Sequence, residues 1–389
     1  MRIIMCFDIK GQKGIYIHIP FCISKCIYCD FCSAPADEDT KELYVSALCR
    51  EIRQAGIEME QKGESRTAST VFFGGGTPSI LRSSQIVEIM NAVREAFRLT
   101  DDAEITMECN PGTLTKEKLR TYRYAGVNRL SIGLQSTNNR DLKNLGRIHT
   151  YEQFEESYID ARLAGFNNIN VDIMSAIPGQ TPEKYAENLR RVVALKTEHI
   201  SAYSLIVEEN TPLYDMVQRT HGRILPSEED DRRMYAMTKE ILGEAGYNRY
   251  EISNYAKPGY ECRHNCSYWN RTDYLGFGLA AASLSGNRRY TNTSDMASYL
   301  ANPIHNRAEE QILTVEDEME EYMFLGLRMM KGVDRAEFAR LFGKDYDEVY
   351  GDITRRHIEQ GLMAAEGSRL YLTDIGIDIS NTVMADYML

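Results

Sequence analysis

The sequence predicts an α/β protein, a partial (β/α)6 barrel followed by a mostly helical, winged-helix-like C-terminal domain. Three observations predict it. From residue 14 to about 206, a short β-branched or apolar run is repeatedly followed by a longer stretch of helical periodicity. Strands that alternate with helices mean βαβ units and a parallel sheet. Beyond residue 311 the texture changes to helices that end at glycines, with SRLYLTDIG reading as a short strand pair.

The strands are expected at 15–19, 70–73, 104–108, 129–134, 168–174 and 200–205. Helices are expected between them at 41–61, 84–97, 116–125, 151–164 and 182–195. In the first helix Leu43, Leu48, Ile52 and Ile57 recur at near-helical spacing and predict its buried face. Residues 207–310 are less regular, holding one helix at 230–245 and the segment CRHNCSYWN. Past residue 311, helices are expected at 316–331, at a second stretch ending near Gly343, and at 346–360, where Gly361 would be the glycine just past the end. These divisions give three units: 1–206, 207–310 and 311–389.

With 45 Lys and Arg against 57 Asp and Glu, the net charge is −12, which argues against a general nucleic-acid or anionic-membrane binder. The unit 311–389 carries 8 basic and 16 acidic residues, so a docking or capping role suits it better than DNA. A chain that is 43% apolar and 26% charged is not disordered. No run approaches the roughly 20 apolar residues of a membrane span. An N-terminus broken by Asp8 and Lys10 is a poor signal peptide, and the protein reads as cytoplasmic.

Four of the nine cysteines, Cys22, Cys26, Cys29 and Cys32, fall on the loop after the first strand. The others (Cys6, Cys49, Cys109, Cys262 and Cys266) are scattered, which is unlike a secreted disulfide framework and points to reduced thiols and a metal or cluster site. Structural zinc usually pairs two C-x2-C units across a gap. A ferredoxin-type cluster uses four thiolates from a C-x2-C-x2-C run and a later Cys. A 4Fe–4S cluster held by three thiolates would leave one iron open for a ligand.

Polar and glycine-rich residues gather just after the other strands: Gly74, Gly75 and Gly76; Asn110, Pro111 and Gly112; Gln135, Ser136 and Thr137; Pro178 and Gly179. In parallel α/β folds this edge is where ligands bind.

C-x3-C-x2-C after the first strand of a βα barrel, with Tyr28 before its third Cys and GGGTP after the second strand, resembles the radical S-adenosylmethionine (SAM) superfamily. The strings YIHIPFC, GGGTPS, NPGT, GLQS, LGR-x-H and IPGQT resemble one branch of it. That branch is the oxygen-independent coproporphyrinogen III oxidase (HemN) family and its relative, the haem chaperone HemW. The resemblance implies that Cys22, Cys26 and Cys29 hold a 4Fe–4S cluster. Its open iron would chelate SAM, and the reduced cluster would cleave the sulfonium bond to give a deoxyadenosyl radical. Tyr16, Gly75 and Glu108 would touch that SAM. Tyr28, Gly76, Thr77, Gln135, Arg147 and Asp172 match residues around a second SAM in the oxidase. Cys32 is either a small loop residue or a fourth ligand that closes the cluster.

Three departures from the oxidase lean towards HemW. Only 21 residues precede Cys22, fewer than in the oxidase; Asp30 stands where the oxidase has its fourth Cys; and His264, Asn265, Tyr268 and Trp269 form an HNxxYW string resembling the proposed haem-binding motif of HemW. The resemblance therefore implies a haem chaperone with haem as cargo, apo-haemoprotein acceptors, and a reductant of the flavodoxin or ferredoxin type. The alternatives are oxidative decarboxylation of coproporphyrinogen III, or radical methylation or another reaction on a tetrapyrrole substrate. In this motif a structural histidine, or a thiolate ligand from Cys262 or Cys266, are the competing readings.

Overall fold

The structure, a computed structural model, describes residues 12–389, so the reading of the N-terminus and of Cys6 lies outside the described residues. The expected βα alternation is present. It runs β1 (Lys13–Ile19), α1 (Glu38–Lys62), β2 (Thr67–Gly75), α2 (Ser83–Ala96), β3 (Arg98–Cys109), α3 (Lys116–Tyr124), β4 (Arg129–Gln135), α4 (Asn139–Asn144), α5 (Tyr151–Leu163), β5 (Ile169–Ser175), α6 (Pro182–Ala194) and β6 (His199–Ser204). Neighbouring strands pair in parallel from β1 to β6. There follow α7 (Pro212–Thr220), α8 (Glu228–Glu244), β7 (Asn248–Arg249), β8 (Asn254–Ala256), α9 (Arg263–Trp269), β9 (Tyr274–Phe277), β10 (Ala282–Ser285), β11 (Arg288–Asn292), α10 (Met296–Ala301) and β12 (Arg307–Ile312).

The region expected to be irregular thus extends the same sheet. Its order is β12-β11-β10-β9-β1-β2-β3-β4-β5-β6-β8-β7, with β9 parallel to β1 and β8 antiparallel to β6. The sheet stays open, with β12 and β7 at its edges.

Side chains alternate across each strand. Ile15, Ile17 and Ile19 of β1, Val71 and Phe73 of β2, Leu130, Ile132 and Leu134 of β4, and Val171 and Ile173 of β5 enter one large core. The residues between them, among them Tyr16, Phe72, Glu108 and Asp172, turn to the other face. α9 packs on that face against β2. The buried side of α1 is carried by Tyr44, Val45, Leu48 and Ile52, whereas Leu43 and Ile57 are exposed, so half of the stripe expected there faces outward.

The C-terminal unit has its own apolar core around Met323, Phe338, Tyr350 and Tyr387. It comprises α11 (Val315–Gly326), β13 (Val333–Asp334), α12 (Arg335–Phe342), α13 (Tyr346–Glu359), β14 (Met363–Glu366), β15 (Arg369–Leu372), α14 (Asp374–Asp378) and α15 (Ser380–Ala385). Three helices and a hairpin are found as expected, with β13 completing a three-stranded sheet. Gly361 lies just past α13 at φ 72°. α11 ends at Gly326, short of the expected 331, because the backbone beyond turns to pair with residues 250 and 251.

Candidate functional site

The loop after β1 carries Cys22, Cys26, Cys29 and Cys32 as free, part-exposed thiols. It is fastened from below. The Gly76 and Thr77 N–H groups donate to the Ile19 and Phe21 carbonyls at 2.8 Å each. A Cβ on Gly76 would meet the Phe21 carbonyl oxygen at 2.7 Å, so only glycine lets the two loops approach this closely.

A polar chain then spans two of the thiols. Cys22 Sγ and Thr77 Oγ1 share a contact of 3.5 Å. Asn110 Nδ2 donates to Thr77 Oγ1 at 2.8 Å, and Arg147 Nη2 donates to Asn110 Oδ1 at 2.7 Å. Arg147 Nη1 donates to Cys26 Sγ at 3.6 Å. A guanidinium and a hydroxyl thus lie against two of the loop's sulfurs. Three thiols on one loop suit an iron–sulfur cluster. Among the described residues, no three His, Cys, Asp or Glu side chains gather around a single ion position.

Beside this loop a cavity of about 530 Å³ is lined by Tyr16, His18, Gly75 and Glu108 from the first strands, and by Cys32 and Phe31 from the loop. His18 was not singled out from the sequence, yet it joins these parts. Its Nδ1 bonds the Tyr16 hydroxyl at 3.1 Å and its Nε2 bonds the Cys32 carbonyl at 2.9 Å. A Cβ on Gly75, at φ 107°, would meet the His18 ring at 2.6 Å. Glu108 accepts the Gly75 N–H, but burial, reinforced by the charge of Asp172, pushes its carboxyl up to about 8. Burial raises the Tyr16 and Tyr28 hydroxyls, leaving both protonated.

Asp172 accepts from Asn170 Nδ2 at 2.6 Å and from the Ser131 hydroxyl at 3.3 Å. Gln135, in a left-handed conformation at φ 73°, accepts from the Tyr203 hydroxyl at 3.0 Å. Of the residues matched to SAM contacts, Tyr16, Gly75 and Glu108 share the cavity, whereas Gly76, Thr77, Tyr28 and Arg147 sit at the cysteine loop. The sequence set Asn110 at the ligand edge without giving it a role, and Tyr203 escaped the reading because a single phenol in a strand carries no pattern.

The HNxxYW string forms α9. Glu104 accepts the Arg263 and His264 N–H groups at 3.0 Å each and so secures the start of this short helix. His264 has no exposed surface. Its Nδ1 bonds Thr70 Oγ1 and its Nε2 bonds the Tyr268 hydroxyl, both at 2.8 Å. Its ring stacks on Phe72 with centroids 5.0 Å apart. Burial, with the charge of Arg129, lowers its pKa to about 3. The ring is therefore neutral, and both of its nitrogens are engaged.

Asn265 is half-buried on the same helix. Tyr268 and Trp269 line the cavity, and Arg328 lies over the Trp269 ring at 4.4 Å. Trp269 Nε1 is buried without a hydrogen-bond partner.

A βα barrel with a cysteine loop after its first strand and a glycine triad after its second defines a radical SAM protein. The family model for the Radical SAM superfamily matches residues 16–192, and that for the HemN C-terminal domain matches residues 313–379. The chain is 36% identical to the haem chaperone HemW of Lactococcus lactis, over 98% of each chain. It is 36% identical to HemW of Bacillus subtilis, over 97% of this chain and 99% of that one, and 34% identical to HemW of Escherichia coli, over 93% and 92%. The chain belongs to the HemW family.

Membership of the superfamily brings a 4Fe–4S cluster and SAM as cofactors. The solved structure of coproporphyrinogen III oxidase (HemN) from Escherichia coli superposes with a TM-score of 0.84 over 97% of this chain and 90% of that one, at 24% identity; the likeness shows the shared fold. Among the described residues no helix is long and apolar enough to cross a membrane.

Proposed function

We propose that this protein takes up haem and hands it to apo-haemoproteins. The observation that carries the reading is similarity to haem chaperones along 98% of the chain. Cys22, Cys26 and Cys29 hold the cluster, with Thr77, Asn110 and Arg147 steadying two of the thiols from below. When bound, the cluster supplies one-electron chemistry and an iron open to SAM.

The chain's own residues orient that SAM. Tyr16 and Gly75 shape the wall, and Glu108 offers its carboxyl oxygens to an ammonium. Gln135 and Asp172, held by Tyr203 and by Asn170, stand on the strands beyond and offer an amide and a carboxylate for a second SAM. Unit 1–206 carries the cofactors, 207–310 supplies α9 and strands that wall the cavity, and 311–389 adds Leu325 from α11. A flavodoxin- or ferredoxin-type protein supplies electrons.

The test is made on protein purified without oxygen, with its cluster reconstituted. Given a reductant, SAM and coproporphyrinogen III, it is expected to form no protoporphyrinogen IX, while haem added in its place is retained stoichiometrically. Formation of protoporphyrinogen IX would overturn the chaperone reading in favour of decarboxylation.

A further inference from the structure

We propose that Arg289, on β11, is the receptor for a carboxylate of the tetrapyrrole cargo, and that His264 positions the cavity wall and does not bind the iron. The inference rests on the chaperone reading above and adds where and how the cargo is held.

The cavity has two kinds of lining. Tyr16, Gly75 and Glu108 belong to the cofactor-facing strands, whereas Ala280, Ala282 and Leu284 come from the segment spanning β10, and Leu325 from α11. With Tyr268, Trp269 and Tyr274 the second part is apolar and aromatic, which suits the face of a flat macrocycle. Its volume of about 530 Å³ falls within the 300–1,000 Å³ usual for small-molecule sites. Haem also brings two propionates, which need a cation in such surroundings. Arg289 is the one Lys or Arg among the described residues lining this cavity. His18, the other basic side chain there, is held neutral by burial. A guanidinium binds a carboxylate through two parallel hydrogen bonds, which gives it strength and direction.

Arg289 is also free to change partner. Its Nη1 donates to Glu321 Oε1 of α11. Glu321, itself buried, accepts a second bond from Arg271 Nε at 2.7 Å. If Arg289 turned to a ligand carboxylate, Glu321 would keep Arg271, so no buried carboxylate would be stranded. The Arg289 side chain is 34% exposed against 14% for Arg271, so Arg289 is the more accessible of the pair.

His264 fits a different part. Iron ligation would require breaking its bond to Thr70 or to Tyr268 and uncovering a ring with no exposed surface. What those bonds do is fix Tyr268. The Tyr268 hydroxyl is anchored on His264 Nε2, and its ring meets Tyr274 edge-on with centroids 4.6 Å apart. The motif therefore presents Tyr268 and Trp269 to the cargo through a histidine that stays inside.

The experiment compares haem with haem dimethyl ester, in which both propionates are masked, by absorbance titration of the cluster-reconstituted full chain. The protein is expected to bind haem about 10- to 100-fold more tightly than the ester, the range of a charged hydrogen bond. Arg289→Ala should remove that preference and leave ester affinity and iron content unchanged, and Arg289→Lys should keep part of it. Equal affinities in the unaltered protein would overturn the inference without any variant. So would a preference that survives Arg289→Ala. If neither ligand binds, the chaperone reading fails together with the inference; if haem binds without the preference, the inference fails alone.

Discussion

Two residues of similar kind have opposite fates in this site. His18 and His264 are both buried imidazoles on the inner face of the sheet, yet His18 bridges Tyr16 to the cysteine loop, while His264 ties α9 to β2. His264→Ala would remove a stacked ring and leave the Thr70 and Tyr268 hydroxyls without partners, at a cost of about 2–4 kcal/mol. Chemical denaturation should show that loss. The haem still bound should keep the absorption and EPR signature of the unaltered protein, because the iron's ligand is unchanged. A shifted signature would return His264 to the iron.

At the cysteine loop, Arg147→Met removes the cation that donates to Cys26 Sγ. A sulfur that loses a charged donor holds its negative charge less comfortably. The variant's reconstituted cluster should have a more negative reduction potential, measured by EPR-monitored titration. An unchanged potential would mean the guanidinium acts elsewhere.

Among the elements, α1 and the appended strands are held together by one carboxylate. Glu51 of α1 accepts the Gly278 N–H at 2.9 Å, the Tyr299 hydroxyl at 2.6 Å and the Asn292 amide at 2.7 Å, with Asn306 at 3.4 Å. Glu51→Ala leaves the Gly278 N–H and the Tyr299 hydroxyl without this acceptor, takes one bond from each amide, and should lower stability by about 3–5 kcal/mol. Burial outweighs the donors and pushes the Glu51 carboxyl up to about 7. The folded state thus holds this proton more tightly than the unfolded chain does. Its contribution to stability falls as pH rises from the ordinary glutamate range through about 7. Denaturant midpoints recorded across that window should slope downward for the native chain and flatten for Glu51→Gln.

The elements also show what sequence alone could carry. The period of two in β1, with Ile15, Ile17 and Ile19 against Tyr16 and His18, made both the strand and its two faces legible. β12 was not legible, because all six of its residues are exposed and nothing alternates. β9 and β10 are four residues each, and the place of β9 beside β1, with β10 next to it, depends on a contact some 260 residues away along the chain. In α14 and α15, with five and six residues, no helical period has room to show. The stripe of Leu43 and Ile57 misled because period alone does not say which side of a helix meets the sheet.

For the whole molecule, the C-terminal unit is bound to the barrel by charges grouped near the cavity. Arg271, in the turn between α9 and β9, reaches Glu318 and Glu321 of α11, and Arg328 stands 3.8 Å from the fully buried Glu251. The Met330 N–H donates to the Tyr250 carbonyl at 3.0 Å. Arg271→Met should loosen this seam, read as faster deuterium uptake in α11 with the helices on the far side of the barrel unaffected. The cysteine loop and the glycine triad were readable as spacing within short segments. Arg289 and Leu325 were not, since they join Tyr268 and Trp269 around the cavity only after separate segments fold together.

Transfer tests the account most directly. The cluster-reconstituted protein, loaded with haem and freed of excess, is mixed with an apo-haemoprotein, and the acceptor's holo absorption spectrum is followed in time. The account predicts that the acceptor fills faster than with the same amount of haem bound to an inert carrier, while the donor empties in step. An acceptor that fills no faster, or a donor that keeps its haem, would contradict it.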